Sequence, residues 1–165
     1  MSVQANQREN LTPLQRALES LIILAMLFVF GFFAAHQRMD TGFFTGEFGP
    51  FAMVCLYGPI LAAMVPPIIR IVTGRRHPSL PLEAAANSLL ALGSLWLVIV
   101  FPFDYAHLAD VLPQSLQFVL GWITDGIGRF VLILQVIIGP ISAVTALGQY
   151  LTQQTNEPGL NRRFS

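Results

Sequence analysis

Four apolar runs punctuate the chain, each long enough to cross a bilayer, whose hydrocarbon core takes about 20 residues of helix at 1.5 Å rise. The first, "LESLIILAMLFVFGFFAAH", is free of charge from Ser20 to Gln37. The second, "FGPFAMVCLYGPILAAMVPPII", has none between Glu47 and Arg70. A third runs from Ala84 to Phe103, and a fourth from Phe130 past Gly148. The pattern predicts spans at residues 17–36, 50–72, 83–103 and 129–149 within one domain over 13–150, flanked by polar tails at 1–12 and 151–165. One such run could be the buried helix of a soluble protein. Four in 165 residues leave too little polar surface to cover a core. The expected fold class is therefore an all-α integral membrane protein with four transmembrane helices.

Between the third and fourth runs the period changes. Leu116, Val119, Leu120, Ile123 and Ile127 share one helical face, and Gln114, Gln117, Gly121, Thr124 and Asp125 the other. That spacing predicts a short amphipathic outer helix over 114–127, with Trp122 at headgroup level. Asp125 and Arg129 stand i, i+4 in the acid-first order that favours an ion pair. At the start of the first run, Thr12-Pro13-Leu14-Gln15 reads as a capping box with proline at the first helical position. The run is longer than the apolar part of a secretory signal, and "GFFAAHQ" lacks a clean A-x-A site, so an anchor is expected.

Composition agrees with lipid as the solvent. Charged residues make up 11% of the chain, against about 25% in an ordinary globular protein, and the mean hydropathy is +0.62. A net charge of zero argues against nucleic acid as a partner. The lone Cys55 excludes an intrachain disulfide. Arginine supplies every basic side chain other than histidine, and its distribution sets an orientation. Arg8, Arg16, Arg70, Arg75, Arg76, Arg162 and Arg163 fall on one side of the four spans, with only Arg38 and Arg129 on the other. Basic loops stay cytoplasmic. Both termini are then expected in the cytoplasm, with the cytoplasmic membrane as the expected location.

Within the spans, Gly58-x-x-x-Ala62 and Gly139-x-x-x-Ala143 are small-xxx-small patterns that let helices approach. Pro59, Pro66, Pro67 and Pro140 each free a carbonyl one turn back and are expected to mark kinks and packing points. "GPILAAM" and "GPISAVT" echo one another, too briefly to establish a repeat. The polar residues of the spans are Asn87, Ser88, Ser94, Gln135, Ser142 and Thr145. No carboxylate, lysine or histidine lies in the middle of a span, so the usual mark of ion coupling is missing.

Candidate chemistry concentrates in "FPFDYAHLADVLP", where Asp104, His107 and Asp110 stand three residues apart. With His36, Asp40 and Glu47 on the same side, a His/carboxylate set could in principle hold zinc or iron. On a helix, however, these steps fan the ligands apart. Pro102, Pro113 and the aromatic Phe101, Phe103 and Tyr105 read more simply as the exit of the third span. No hydrolase, zincin, phosphate-loop or C-x-x-C signature is present, and the glycines of "TGFFTGEFG" read as a short outer loop. The expected role is a non-enzymatic accessory, assembly or structural component without a cofactor. Its expected partners are the lipid bilayer and other membrane proteins or a second copy. A solute or ion transporter subunit and a membrane metalloenzyme built on Asp104, His107 and Asp110 are the alternatives.

Overall fold

The computed structural model describes residues 11–155. It is all-helical: α1 spans Pro13–Met39, α2 Pro50–Thr73, α3 Leu80–Val100 and α4 Asp125–Thr155. Each is long and apolar enough to cross a membrane. The polar tails at 1–10 and 156–165, with Arg8, Arg162 and Arg163, lie outside the described residues.

α1 begins at the expected capping box. The Gln15 backbone N–H donates to Thr12 Oγ1 at 3.2 Å, and Gln15 Oε1 accepts from the Thr12 N–H at 2.9 Å. α2 runs unbroken through Pro59, Pro66 and Pro67, all three buried. It stops at Gly74, whose φ of 68° lets its N–H return to the Arg70 carbonyl. α3 ends at Val100, three residues short of the expected Phe103, because the chain turns out at Phe101 and Pro102. α4 begins earlier and ends later than the expected 129–149.

Successive helices pack side by side and antiparallel, with the most extensive contact between α3 and α4. Small residues explain that contact. A Cβ added to Gly139 would lie 2.8 Å from Ala91 Cβ and 2.9 Å from the Asn87 carbonyl oxygen, and Ala143 is buried one turn on. Gly58 behaves differently: beside it only Val54 comes within 4.0 Å. The close α2–α3 contact falls instead on Gly93, which faces Cys55 and Pro59. The Gly-Pro-Ile echo is thus rotated by one residue, with Pro59 turned inward and Pro140 outward. α1 and α4 make no comparably close backbone contact, and the seam between them is open.

The amphipathic α-helix expected over 114–127 is replaced by a six-residue 3-10 segment, Gln114–Val119, followed by turns up to α4. Pro113 starts the segment, and the i→i+3 bond from the Leu120 N–H to the Gln117 carbonyl winds it tightly. The apolar side is the expected one nevertheless: Leu116, Val119, Leu120, Ile123 and Ile127 all turn toward α1 across the seam.

Candidate functional site

The tightest packing in the chain lies at one end, not in its middle. Residues 40–49 and 101–124 fold back over the helices, with Phe43 wholly buried between Phe33, His36, Phe44, Phe103 and Tyr105. Ring centroids 4.8 to 5.9 Å apart make this an interlocked aromatic cap. Backbone bonds pin its two strips together: the Asp104 N–H donates to the Phe43 carbonyl at 2.8 Å and the Thr45 N–H to the Pro102 carbonyl at 3.1 Å. "TGFFTGEFG" is therefore the inner layer of the cap, a role its glycines concealed. His36, 1% exposed, fastens α1 to it. Its Nε2 lies 3.1 Å from the Leu108 carbonyl, which can only accept, so Nε2 carries the proton and Nδ1 accepts from Thr41 Oγ1 at 2.6 Å. With both nitrogens engaged, His36 does not join a metal set.

Asp104, His107 and Asp110 do come together, as a local turn. His107 Nδ1 bonds Asp110 Oδ2 at 2.7 Å, and Asp104 Oδ2 stands 4.0 Å from Nε2. Asp104 Oδ1 is occupied in capping the 3-10 turn Tyr105–His107 through the Ala106 N–H. The hydrogen bond that His107 donates to Asp110, with the charges of Asp104 and Asp110, raises the His107 pKa above its ordinary value against a smaller opposing desolvation. Gly42, at φ 89°, makes room for the ring, since a Cβ there would sit 3.2 Å from it. Among the described residues no three His, Cys, Asp or Glu side chains converge as metal ligands.

Asp125 and Arg129 do not pair with each other. Asp125 Oδ1 accepts from the Tyr105 N–H at 3.0 Å, tying the start of α4 to the cap. Arg129 lies over the Phe101 ring, 4.0 Å from its centroid. Phe101 reaches that position through a left-handed backbone at φ 43°. The cap thus gave each charge a nearer partner than the other offered.

At the opposite end, Arg70 is 7% exposed and reaches three elements at once. Its Nη1 donates to Glu19 Oε1 of α1 at 3.0 Å, its Nη2 pairs with Glu83 of α3, and its Nε donates to Ser79 Oγ at 2.8 Å. Ser79 passes the chain on to the Arg76 carbonyl at 2.8 Å. One oxygen, Glu19 Oε2, is buried with no partner among the described residues. In the sequence Arg70 counts only toward the arginine asymmetry, because its partner Glu19 stands 51 residues away.

Between the two ends lies a cavity of about 160 Å³ that all four helices line. Its polar features are few. Ser94 Oγ donates to Gln135 Oε1 at 2.6 Å, bridging α3 and α4, and leaves the Gln135 amide nitrogen without a partner among the described residues. Tyr105 enters from the cap with its ring seated on Gly128, where any Cβ would collide with it. Its hydroxyl also has no hydrogen-bond partner among the described residues. Burial, and secondarily the charge of Asp125, push the Tyr105 pKa up to about 12. Val29, Phe33, Tyr105, Gly128 and Val131 line both this cavity and the α1–α4 seam, an apolar groove of about 570 Å³. The two spaces share these five residues as walls.

Comparison with family descriptions, with curated proteins and with solved structures finds no match for the chain. The class defined by the fold is an all-helical chain whose four long apolar helices suggest a multi-pass membrane protein.

Proposed function

We propose that the chain is a multi-pass integral membrane protein of the cytoplasmic membrane, both termini cytoplasmic, that serves as a non-enzymatic accessory or assembly component. The observation that carries this reading is the outward apolar surface of the helices. No residue in the most apolar stretch of α1 is buried within the chain. Leu21 is 61% exposed, Phe28 71%, Ile99 69% and Val144 72%. Contiguous apolar patches of this kind are unusual on a soluble monomer. In a bilayer they are the ordinary lipid-facing surface.

The buried ionisable groups support a structural role over a reactive one. Arg70 binds helices together and His36 holds the cap, so neither is presented to a substrate. α1 packs closely on α2 alone among the helices, which leaves most of its flank for lipid, other membrane proteins or a second copy. For the orientation, Arg16, Arg75 and Arg76 are exposed at the Arg70 end, while Asp40 and Asp110 are exposed at the cap end. Arg70 itself is matched by two carboxylates and adds nothing to that asymmetry.

The test is alkaline carbonate extraction of membranes, followed by purification of the tagged chain in mild detergent and identification of what accompanies it. Retention in the membrane with stoichiometric companions is expected. Release by carbonate would remove the membrane reading, and a lone chain that supports solute flux or turnover in vesicles would remove the accessory role.

A further inference from the structure

We infer that the central cavity and the α1–α4 seam together form a binding site for an isoprenoid-type quinone, its ring in the cavity between Tyr105 and Gln135 and its tail in the seam. The inference begins from two hydrogen-bond donors that the fold leaves without partners. The Gln135 amide oxygen accepts from Ser94, and the amide N–H groups have no partner among the described residues. The Tyr105 hydroxyl remains protonated at any physiological pH, because its pKa is pushed up to about 12. Both residues line the same small cavity. A donor on the wall of a mostly apolar space is better satisfied by a ligand that accepts from it.

The remaining walls say what kind of acceptor fits. No charged side chain lines the cavity, so a carboxylate or phosphate would lose its hydration without a counter-charge. A neutral carbonyl carries no such penalty. Phe33, Phe103 and Tyr105 supply aromatic surface for a flat ring. The cavity and the seam share Val29, Phe33 and Val131 as walls, and the seam is lined by apolar and aromatic side chains from Phe28 of α1 to Ile127 of α4. A ligand that satisfies all of this is neutral and planar, bears carbonyl acceptors, and trails a long apolar tail. Quinones dissolved in the bilayer have that chemistry, and the seam would admit one sideways from lipid. The inference rests on the membrane reading, because only there does the seam meet hydrocarbon. Carbonate extraction tests that reading separately, so a membrane-resident chain that fails to bind quinone sinks this inference alone.

The experiment titrates a decyl-tailed benzoquinone into the full chain in mild detergent and follows quenching of Trp96 and Trp122 fluorescence. The expected result is saturable quenching that methyl laurate, with a similar tail but no planar dione, does not reverse. Tyr105→Phe keeps the ring on Gly128 and removes only the hydroxyl; it should weaken binding roughly three- to tenfold, the worth of one hydrogen bond. Gln135→Leu should do the same from the other side, so the inference does not hang on one variant's folding. Linear, unsaturable quenching would mean partition into detergent and overturn the site. Equal competition by methyl laurate would reduce it to a groove for any acyl chain, and unchanged affinity in both variants would place the quinone elsewhere.

Discussion

The carbonyl oxygen of Cys55 faces Gly93 so closely that a Cβ on that glycine would lie 2.5 Å from it. The cause is one residue further along α2. Pro59 has no N–H to donate, so the Cys55 carbonyl loses its partner within the helix. The open backbone of Gly93 on α3 accepts the oxygen's approach, and Pro59 Cγ packs beside it, 3.1 Å from the same added Cβ. Gly93→Ala should therefore cost about 1–3 kcal/mol as overpacking, more than the roughly 1 kcal/mol of helix propensity it gains. Gly58→Ala meets only Val54, at 4.0 Å, and should stabilise by roughly 0.5–1 kcal/mol. Thermal unfolding of both variants in one detergent checks the contrast. A Gly93→Ala protein as stable as Gly58→Ala would show that the α2–α3 contact is looser than described.

Arg70 balances two carboxylates with one guanidinium, which makes the cluster asymmetric to mutation. Arg70→Leu leaves Glu19 and Glu83 facing each other largely out of water and should cost about 3–5 kcal/mol. Glu19→Gln keeps an acceptor for Nη1 and removes the surplus negative charge, while its amide nitrogen replaces Oε2, which has no partner among the described residues. It should be neutral or stabilising. A double-mutant cycle on Arg70 and Glu19 would separate the pair from its surroundings. If Glu19→Gln is as damaging as Arg70→Leu, the surplus-charge account is wrong.

His107 gives the cap a pH dependence of defined sign. Its folded pKa is raised, chiefly by the hydrogen bond it donates to Asp110, and Asp104 and Asp110 are the charged groups beside it. A raised pKa means that its contribution is complete below about 6.5, the unfolded value, and is lost as pH climbs through the folded pKa. The wild-type chain should therefore lose stability above pH 6.5 in a way that His107→Gln does not. Melting temperature against pH for the two proteins reads this directly, and parallel curves would show that the Asp110 bond is silent.

What the sequence made legible follows the range of the interactions involved. The capping box at Thr12 and Gln15 and the apolar length of each helix are local, and each is found where the pattern places it. The apolar side of 114–127 is also correct, but Pro113 and the contacts across the seam produced a 3-10 segment where periodicity alone implied an α-helix. Gly139 could be read as a packing glycine, whereas Gly93 had no small partner four residues away to announce it. Asp125 and Arg129 satisfied a helical pairing rule, yet the Tyr105 N–H and the Phe101 ring, brought in by the cap, stand closer. Phe43 sat among glycines in a stretch that read as loop, and only the return of residues 101–105 buries it.

Orientation remains the property most directly open to experiment. Among the described residues three exposed arginines, Arg16, Arg75 and Arg76, lie at the Arg70 end against two, Arg38 and Arg129, at the cap end, and under the positive-inside rule the Arg70 end is expected to face the cytoplasm. A reporter cysteine must avoid side chains that hold the fold. Ser79 is unsuitable because its hydroxyl accepts from Arg70, and Gly42 is unsuitable because His107 fills the space beside it. Gly46 is exposed with open space around it, and Arg75 is exposed with no ion pair among the described residues. In a Cys55→Ala background, Gly46→Cys should react with a membrane-impermeant maleimide in intact cells. Arg75→Cys should react only after the membrane is permeabilised. Labelling of Arg75→Cys but not Gly46→Cys in intact cells would invert the topology, and labelling of both would mean that the chain does not separate the two ends across a membrane.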